Sequence, residues 1–543
     1  MTSAPVLADR RHLWAFVVGC IAVTLGVLLH LPMFWMGRDD GFRLADMPMD
    51  AEMLWGMALI VAGIVVAGFG LIPKALPQPE ALPKELRIIA PEDAPLRWAH
   101  WRLMIVLTIA LVIDVMKPAS LGFVVPGMTR EYEVARTTIA WLPFAALCGT
   151  VIGSVLWGWL ADLYGRRASI LLSAVMFVGT SICGAMPSLW WNVGMCFLMG
   201  AAAGGMLPVA YALLAETMPS RHRGWVLVLV GGLGAVGGYL AASACAAWLE
   251  PIFSWRILWF MNLPTGLVLI LLNAFIPESP KFLLKLGRVA EMRETLRGFG
   301  CIVSTDDAAG LSARRSTARA PRPVAASNAS RLSVLPSLVG PTWALSIMAV
   351  AWGLVNFALL LWMPSHLVAK GYSMRLSSEL LAASALIALP TVFVAALLYS
   401  RWSSKGALLG AIVLTALGLG GVVHLELAAP GSANPVWPIA LLIVGINGII
   451  AMLLPYATES YPLAVRGRAT GWVAACTKGG GLAAQLLSLL GLVPSLLVAA
   501  VAILAPLLTS LVLVAWFCRE TRGRDLRELE VDGLGERGEA FRS

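Results

Sequence analysis

The chain is short of charge. Asp, Glu, Lys and Arg make up 13% of its 543 residues, where a soluble domain carries about a quarter. Lysine is scarcer still, eight residues against 32 arginines. The eight cysteines (Cys20, Cys148, Cys183, Cys196, Cys245, Cys301, Cys476 and Cys518) include no C-x-x-C pair and have no histidine at metal-binding spacing, so no disulfide framework and no metal site is implied. There is no P-loop, which argues against ATP coupling within the chain, and no nucleophile–base pair or metal cluster that would suggest an enzyme. No cofactor is expected. The formal charge of +9 does not require a nucleic-acid partner, because arginine at one set of membrane-helix ends accounts for it.

What the chain has in quantity is apolar surface. Hydrophobic residues make up 59% and the mean hydropathy is +0.81. The charges sit between apolar runs of roughly 20 residues, the length that crosses a ~30 Å hydrocarbon core at 1.5 Å per residue. Fourteen such runs are expected, near residues 13–33, 53–72, 103–125, 139–157, 169–186, 190–214, 225–249, 257–276, 343–367, 377–399, 407–428, 437–456, 469–492 and 495–517. The first follows Arg10-Arg11 but ends in bulky Leu-Pro-Met-Phe-Trp rather than a small-x-small cleavage site, so it is expected to be a retained span and not a leader. The partner implied throughout is the lipid bilayer.

Arginine and lysine mark one side: Arg166/Arg167, Arg221/Arg223, Lys281/Lys285/Arg288, Arg466/Arg468 and both termini. The loop 34–52 is instead acidic. Both termini are therefore expected in the cytoplasm.

Three motifs, on four segments, carry more than composition. Gly158-Trp-Leu-Ala-Asp162-Leu-Tyr-Gly165-Arg166-Arg167 joins two apolar runs. Glu216-Thr-Met-Pro219-Ser-Arg-His-Arg223-Gly224 and Glu459-Ser-Tyr-Pro462-Leu-Ala-Val-Arg466-Gly467 share E-x-x-P-x-x-x-R-G at identical spacing. Pro277-Glu278-Ser279-Pro280-Lys-Phe-Leu-Leu-Lys-Leu-Gly287-Arg288 follows the eighth run. The first resembles motif A of the major facilitator superfamily, G-x-L-A-D-x-x-G-R-[RK], between its helices 2 and 3. The last looks like the P-E-S-P-R-x-L signature of its sugar-porter and metabolite:proton symporter branch. The repeated motif is what the parallel six-plus-six architecture of that family would produce.

The resemblance implies an all-α integral membrane protein whose major facilitator fold, two six-helix bundles, follows a two-helix transmembrane hairpin. The expected layout is a hairpin at 1–73, a cytoplasmic linker at 74–102, the first bundle at 103–276, a central cytoplasmic loop at 277–341, the second bundle at 342–517 and a tail at 518–543. The helix begun by Pro280 is expected to reach about Gly298, and Ser304–Ser330 reads as a disordered linker. The second-half counterpart of motif A, Ala396-Leu-Leu-Tyr-Ser400-Arg401-Trp-Ser-Ser-Lys405, carries Ser400 where the acid would stand. Fourteen-helix drug antiporters place their surplus pair mid-chain, unlike this arrangement.

Ionisable groups near the bilayer centre cost ~2.5–3.5 kcal/mol each on insertion scales, so Asp114, Lys117 and Lys478 are the leading candidates. Asp114 falls near the middle of the first core span, where a desolvated carboxyl suits proton uptake and release; alternatively it pairs with Lys117 at i,i+3. Lys478 precedes Gly479-Gly480-Gly481, glycines that let a substrate or a neighbouring helix approach the backbone; alternatively it snorkels to the cytoplasm. Two cations at a cavity point to an anionic substrate. Tyr211, Trp352, Asn356, Asn447, Tyr456 and Gln485 are polar or aromatic candidates to complete the site, or to pack the helices. By the resemblance, Asp162, Gly165, Arg166 and Arg167, with Glu216, Arg223, Glu459 and Arg466, belong to an inward gate; alternatively they only set topology.

The function expected is secondary transport of a small organic metabolite, in particular a carboxylate, by proton-coupled symport and alternating access in a bacterial inner membrane. Proton-coupled drug or metabolite efflux and a non-transporting membrane sensor or scaffold are the alternatives.

Overall fold

A computed structural model describes residues 10–71, 87–89, 95–285, 288–304, 328–428, 434–461, 463–492 and 494–522. Twelve helices among them are long and apolar enough to cross a membrane. Two further stretches are helical: the shorter apolar helix Leu189–Ala203, which Gly204-Gly205 separates from Met206–Thr217, and the 27-residue helix Leu463–Leu489. Together they occupy the fourteen stretches expected from the sequence. Among the described residues the structure is all-helical but for one small pairing, Arg87–Ile89 antiparallel to Ile302–Ser304.

Two expected boundaries move. The first core helix begins at Trp98 and runs to Glu131, because Trp98–Arg102 continues the helical hydrogen bonding even though His100 and Arg102 interrupt the apolar run. The seventh begins at Asn328, inside the segment expected to be an unstructured linker; most of that linker, 305–327, falls outside the described residues. The helix after Pro280 ends at Gly298 as anticipated, but in two pieces, Pro280–Lys285 and Val289–Gly298.

The hairpin helices, Arg10–Leu28 and Ala51–Leu71, meet through glycine. Gly19 and Gly26 on one, and Gly56, Gly63 and Gly70 on the other, recur at seven-residue spacing. A Cβ at Gly63 would lie 2.8 Å from the Gly19 carbonyl oxygen, and one at Gly56 2.7 Å from that of Gly26. Backbone-to-backbone approach of this kind is how helices associate where lipid removes the hydrophobic driving force. The outer core helix Arg166–Gly179 then receives the pair through Phe16, Val23, Ile60 and Ala67 against Ala168, Leu171, Val175 and Val178, all buried.

The hairpin is also tied at its loop. Leu44 N and Ala45 N donate to Glu131 Oε1 at 2.7 and 3.1 Å. The same oxygen takes Arg256 Nη2 at 2.6 Å, and Trp255 Nε1 donates to Oε2 at 2.8 Å. Arg256 is fully buried and also donates to the Gly184 and Met186 carbonyls. A buried ion pair is stable only when its remaining hydrogen-bonding capacity is filled; here the loop backbone helps to fill it.

The two bundles meet along helices that the family architecture places at the seam. Gly122 lies against the Leu361 carbonyl, Gly232 against Val392 and Gly481 against Leu147. Exposed tryptophans such as Trp14, Trp55, Trp141, Trp190, Trp248, Trp437 and Trp516 lie on the outer surface, as expected of a membrane-interface belt.

Candidate functional site

Asp114 is residue 17 of the 34-residue first core helix, at its midpoint. Pro118 follows four positions later, and with no N–H it leaves the Asp114 carbonyl outside the helical ladder. The side chain is 6% exposed and its Oδ1 has no hydrogen-bond partner among the described residues. The glycines of the fifth core helix, Ser220–Phe253, make the local fit: Gly234 abuts Leu111, Gly237 abuts Val112 and Gly238 abuts Val115. The glycine-rich stretch Gly231–Gly238 is thus packed on the helix that carries Asp114.

Lys117 does not pair with Asp114. Its Nζ stands 2.9 Å from the centroid of the Phe177 ring and makes no hydrogen bond among the described residues. Lys478 stands over a second ring, 5.5 Å from the centroid of Phe357. Cation–π contact holds a desolvated ammonium without neutralising it. Asp114 is close enough to be under the electrostatic influence of both lysines, so one acid from the first bundle and one base from each bundle lie near one another, Asp114 and Lys117 buried and Lys478 half-buried.

Phe357 organises the second-bundle side. It lies in a wide π-helical turn, Val355–Leu360, within the seventh core helix, an irregularity often found at functional sites. Gln485, fully buried, donates Nε2 to the Phe357 carbonyl at 2.6 Å while its Oε1 has no partner among the described residues. Trp352 meets the Phe357 ring edge-on at 5.9 Å and donates Nε1 to the Ile446 carbonyl at 3.0 Å. Asn356 lies half-buried in the same turn. Gly480 and Gly481 accept Val350 and Phe357 of the seventh helix, whereas a Cβ at Gly479 would meet nothing. The close approach those glycines permit is therefore that of a neighbouring helix.

Not every candidate joins this group. Tyr211 sets its hydroxyl in the space a Cβ at Gly231 would take, beside the fifth helix. Asn447 donates Nδ2 to the Ile443 carbonyl of its own helix at 2.8 Å. Tyr456 donates its hydroxyl to the Arg519 carbonyl, at the end of the bundle and away from Lys478. Phe177 and Phe357, which do join it, carry no signal in the sequence, because phenylalanine in an apolar run is unremarked.

At the motif A end, Gly165 adopts φ +100°, a left-handed-side conformation that favours glycine, and a Cβ there would strike Glu278 Oε2. Glu278 Oε1 accepts from Arg166 N at 2.8 Å and Ser279 N at 2.9 Å. Burial raises its carboxyl above the ordinary range, opposed by the N–H groups of Ser279, Arg166 and Arg167. Arg166 reaches Glu216 at 3.6 Å, and Ser279 Oγ donates to the other Glu216 oxygen. The second half builds the same figure from other residues. Ser404 N, at the position matching Arg166, donates to Glu520 Oε1 at 2.9 Å, and Thr521 Oγ1 donates to Glu459 Oε2 at 2.7 Å. Tyr399 donates to the same Glu459 oxygen at 2.7 Å, and Arg223 of the first half exerts its charge on Glu459. The side chains of Asp162 and Arg466 fall outside those described. The pairs Glu278-Ser279 and Glu520-Thr521 are functional candidates the sequence reading did not connect.

Known proteins match this architecture. The Major Facilitator Superfamily profile covers residues 104–485. A niacin transporter, NiaP of Acinetobacter baylyi, is 27% identical over 403 residues, 73% of this chain and 88% of its own. The 4-hydroxybenzoate transporter PcaK of the same organism is 32% identical over 202 residues, 36% of this chain and 43% of its own. Among solved structures, the proton:xylose symporter XylE bound to 6-bromo-6-deoxy-D-glucose superimposes with a TM-score of 0.60 at 17% identity, over 80% of this chain and 98% of that one. With a family match across most of its length and both bundles in place, the chain is a multi-pass membrane transporter of the major facilitator superfamily.

Proposed function

We propose that the protein is a proton-coupled symporter of a small organic carboxylate, working by alternating access in a bacterial inner membrane with both termini in the cytoplasm. The observation that carries this reading is the set formed by buried Asp114 and Lys117 with half-buried Lys478, one acid and two bases on helices of opposite bundles. A carboxylate bridging the two ammonium groups would repay their desolvation, and the bridge would draw the bundles together. Asp114 then supplies the coupling: protonated, it leaves the lysines free for the substrate; ionised, it competes for them. Relatives named for niacin and 4-hydroxybenzoate transport favour an aromatic carboxylate, for which Phe357 and Trp352 offer ring faces. The sets around Glu216 and Glu459, with Arg166, Arg167 and Arg223, serve as the inward gate in this scheme.

The deciding experiment is uptake of nicotinate, benzoate and 4-hydroxybenzoate into proteoliposomes under an imposed pH gradient. Lys478→Ala is expected to lower kcat/KM by at least about tenfold, the range for truncating one partner of a desolvated charge contact. Asp114→Asn is expected to keep exchange of labelled for unlabelled substrate yet lose accumulation driven by the gradient. Normal gradient-driven accumulation by Asp114→Asn would refute the coupling role.

A further inference from the structure

Opposite the motif A end, the two bundles and the hairpin loop enclose a cleft of about 480 Å³ lined by Arg38, Arg43, Arg130, Glu250, Trp255 and Met374 among others. Three features set it apart from a chance depression. First, it lies at the seam, since Met374 begins a helix of the second bundle and the rest come from the hairpin and the first. Second, the hairpin loop is acidic overall, yet its two arginines line the cleft while Asp39, Asp40, Asp46 and Asp50 do not. Third, Glu250 Oε2 is buried there with no hydrogen-bond partner among the described residues.

The charges sort by partner. Glu131 is taken up by Arg256 and the loop backbone. Arg130 lies near enough to Glu250 to offset its charge. Among the described residues Arg43 pairs with the exposed Glu133 at 3.4 Å, and Arg38 lies over Trp35. An exposed pair of this kind is worth little and exchanges readily. The two guanidinium groups of the loop are thus open to an anion, and Glu250 offers an acceptor to a donor group elsewhere on the same molecule.

We infer that the hairpin loop completes an outer capture site for a small organic monocarboxylate that also carries a hydrogen-bond donor, held by Arg38 and Arg43 with its donor turned to Glu250. The inference rests on the carboxylate reading of the central site and extends it to the mouth. The lining carries three arginines against two glutamates, and a net positive cleft raises the local concentration of an anionic solute and speeds its arrival. It also gives the hairpin a part in transport.

The test is equilibrium binding of labelled 4-hydroxybenzoate and benzoate to the purified full-length protein at low salt, in wild type and in Lys478→Ala, where the central site is disabled. Lys478→Ala should keep a weak site that prefers 4-hydroxybenzoate. Adding Arg38→Gln and Arg43→Gln should weaken that residual binding about tenfold, Arg38→Lys and Arg43→Lys should restore most of it, and 1 M salt, with a screening length of ~3 Å, should abolish it. Adding Glu250→Ala should erase the preference over benzoate, while Asp39→Asn should change nothing. Loss of all binding in Lys478→Ala, or residual binding indifferent to the loop arginines, overturns the inference. Failure of the central reading looks different: Lys478→Ala would then bind and transport as wild type does.

Discussion

Single side chains decide the central site by what they decline to do. Lys117 could pair with Asp114 one turn away, and instead lies over Phe177. Gln485 could project into the space between bundles, and instead donates to Phe357. That bond matters because a π-helical turn leaves a carbonyl out of the regular ladder, and a buried carbonyl without a donor costs ~1–3 kcal/mol. Replacing Gln485 with Leu keeps the volume and removes the donor. The turn should then relax toward α-helix and carry the Phe357 ring away from Lys478. The expected result is a loss of ~1–3 kcal/mol in stability, read as a lower Tm, together with a raised KM. Unchanged KM with the lower Tm would mean that Gln485 supports the fold without shaping the site. None of this geometry is legible in the sequence. An amide in an apolar run signals only that it will find a partner, and the choice between substrate and backbone depends on a turn type that no residue pattern announces.

Among whole elements the sequence is more telling, because the bilayer sets a length that every span must meet. All fourteen helical stretches coincide with apolar runs of the sequence, where the doubling of Glu216…Arg223 by Glu459…Arg466 is also visible. The interruptions are not: the break at Gly204-Gly205 and the π-helical turn leave composition unchanged. The hairpin is an intermediate case. Its spans are plain, and its seven-residue glycine spacing is present in the sequence, but the partner face becomes evident only when Gly19 and Gly63 are seen in backbone contact. That contact yields a prediction. Gly63→Leu places carbon where Val23 N and the Gly19 carbonyl already stand, and overpacking of that order costs about 1–3 kcal/mol. It should lower the Tm and expose the hairpin to protease. Gly194→Ala, whose Cβ would meet nothing within 4 Å, should leave both unchanged. Equal effects from the two substitutions would show that the glycine spacing is incidental.

At the scale of the molecule, each bundle fastens its own motif A end. Glu278 with Ser279 clamps the first, and Glu520 with Thr521 clamps the second. In the alternating-access scheme proposed above, the two bodies have to stay rigid while the seam opens, and these clamps would supply that rigidity where the connecting loops meet the helices. The degraded second motif is then no puzzle: its arginine position is filled by Ser404, whose N–H and hydroxyl serve Glu520 as the Arg166 N–H serves Glu278. The symmetry escapes the sequence because it rests on two-residue pairs and on backbone donors, which any residue can provide. It has a pH signature. Burial alone would raise the Glu520 carboxyl, but hydrogen bonds from Ser403, Ser404 and Arg522 outweigh it and hold the group at about 2, against an ordinary 4.5. A carboxyl depressed on folding adds stability that is complete above its unfolded value and is lost as the pH falls toward the folded one. Wild type should therefore melt at a higher temperature than Glu520→Gln at pH 6, and the gap should close progressively between about pH 4.5 and 2. A gap that persists unchanged across that interval would show that the clamp draws nothing from the charge of Glu520, and that the second bundle holds this end by packing alone.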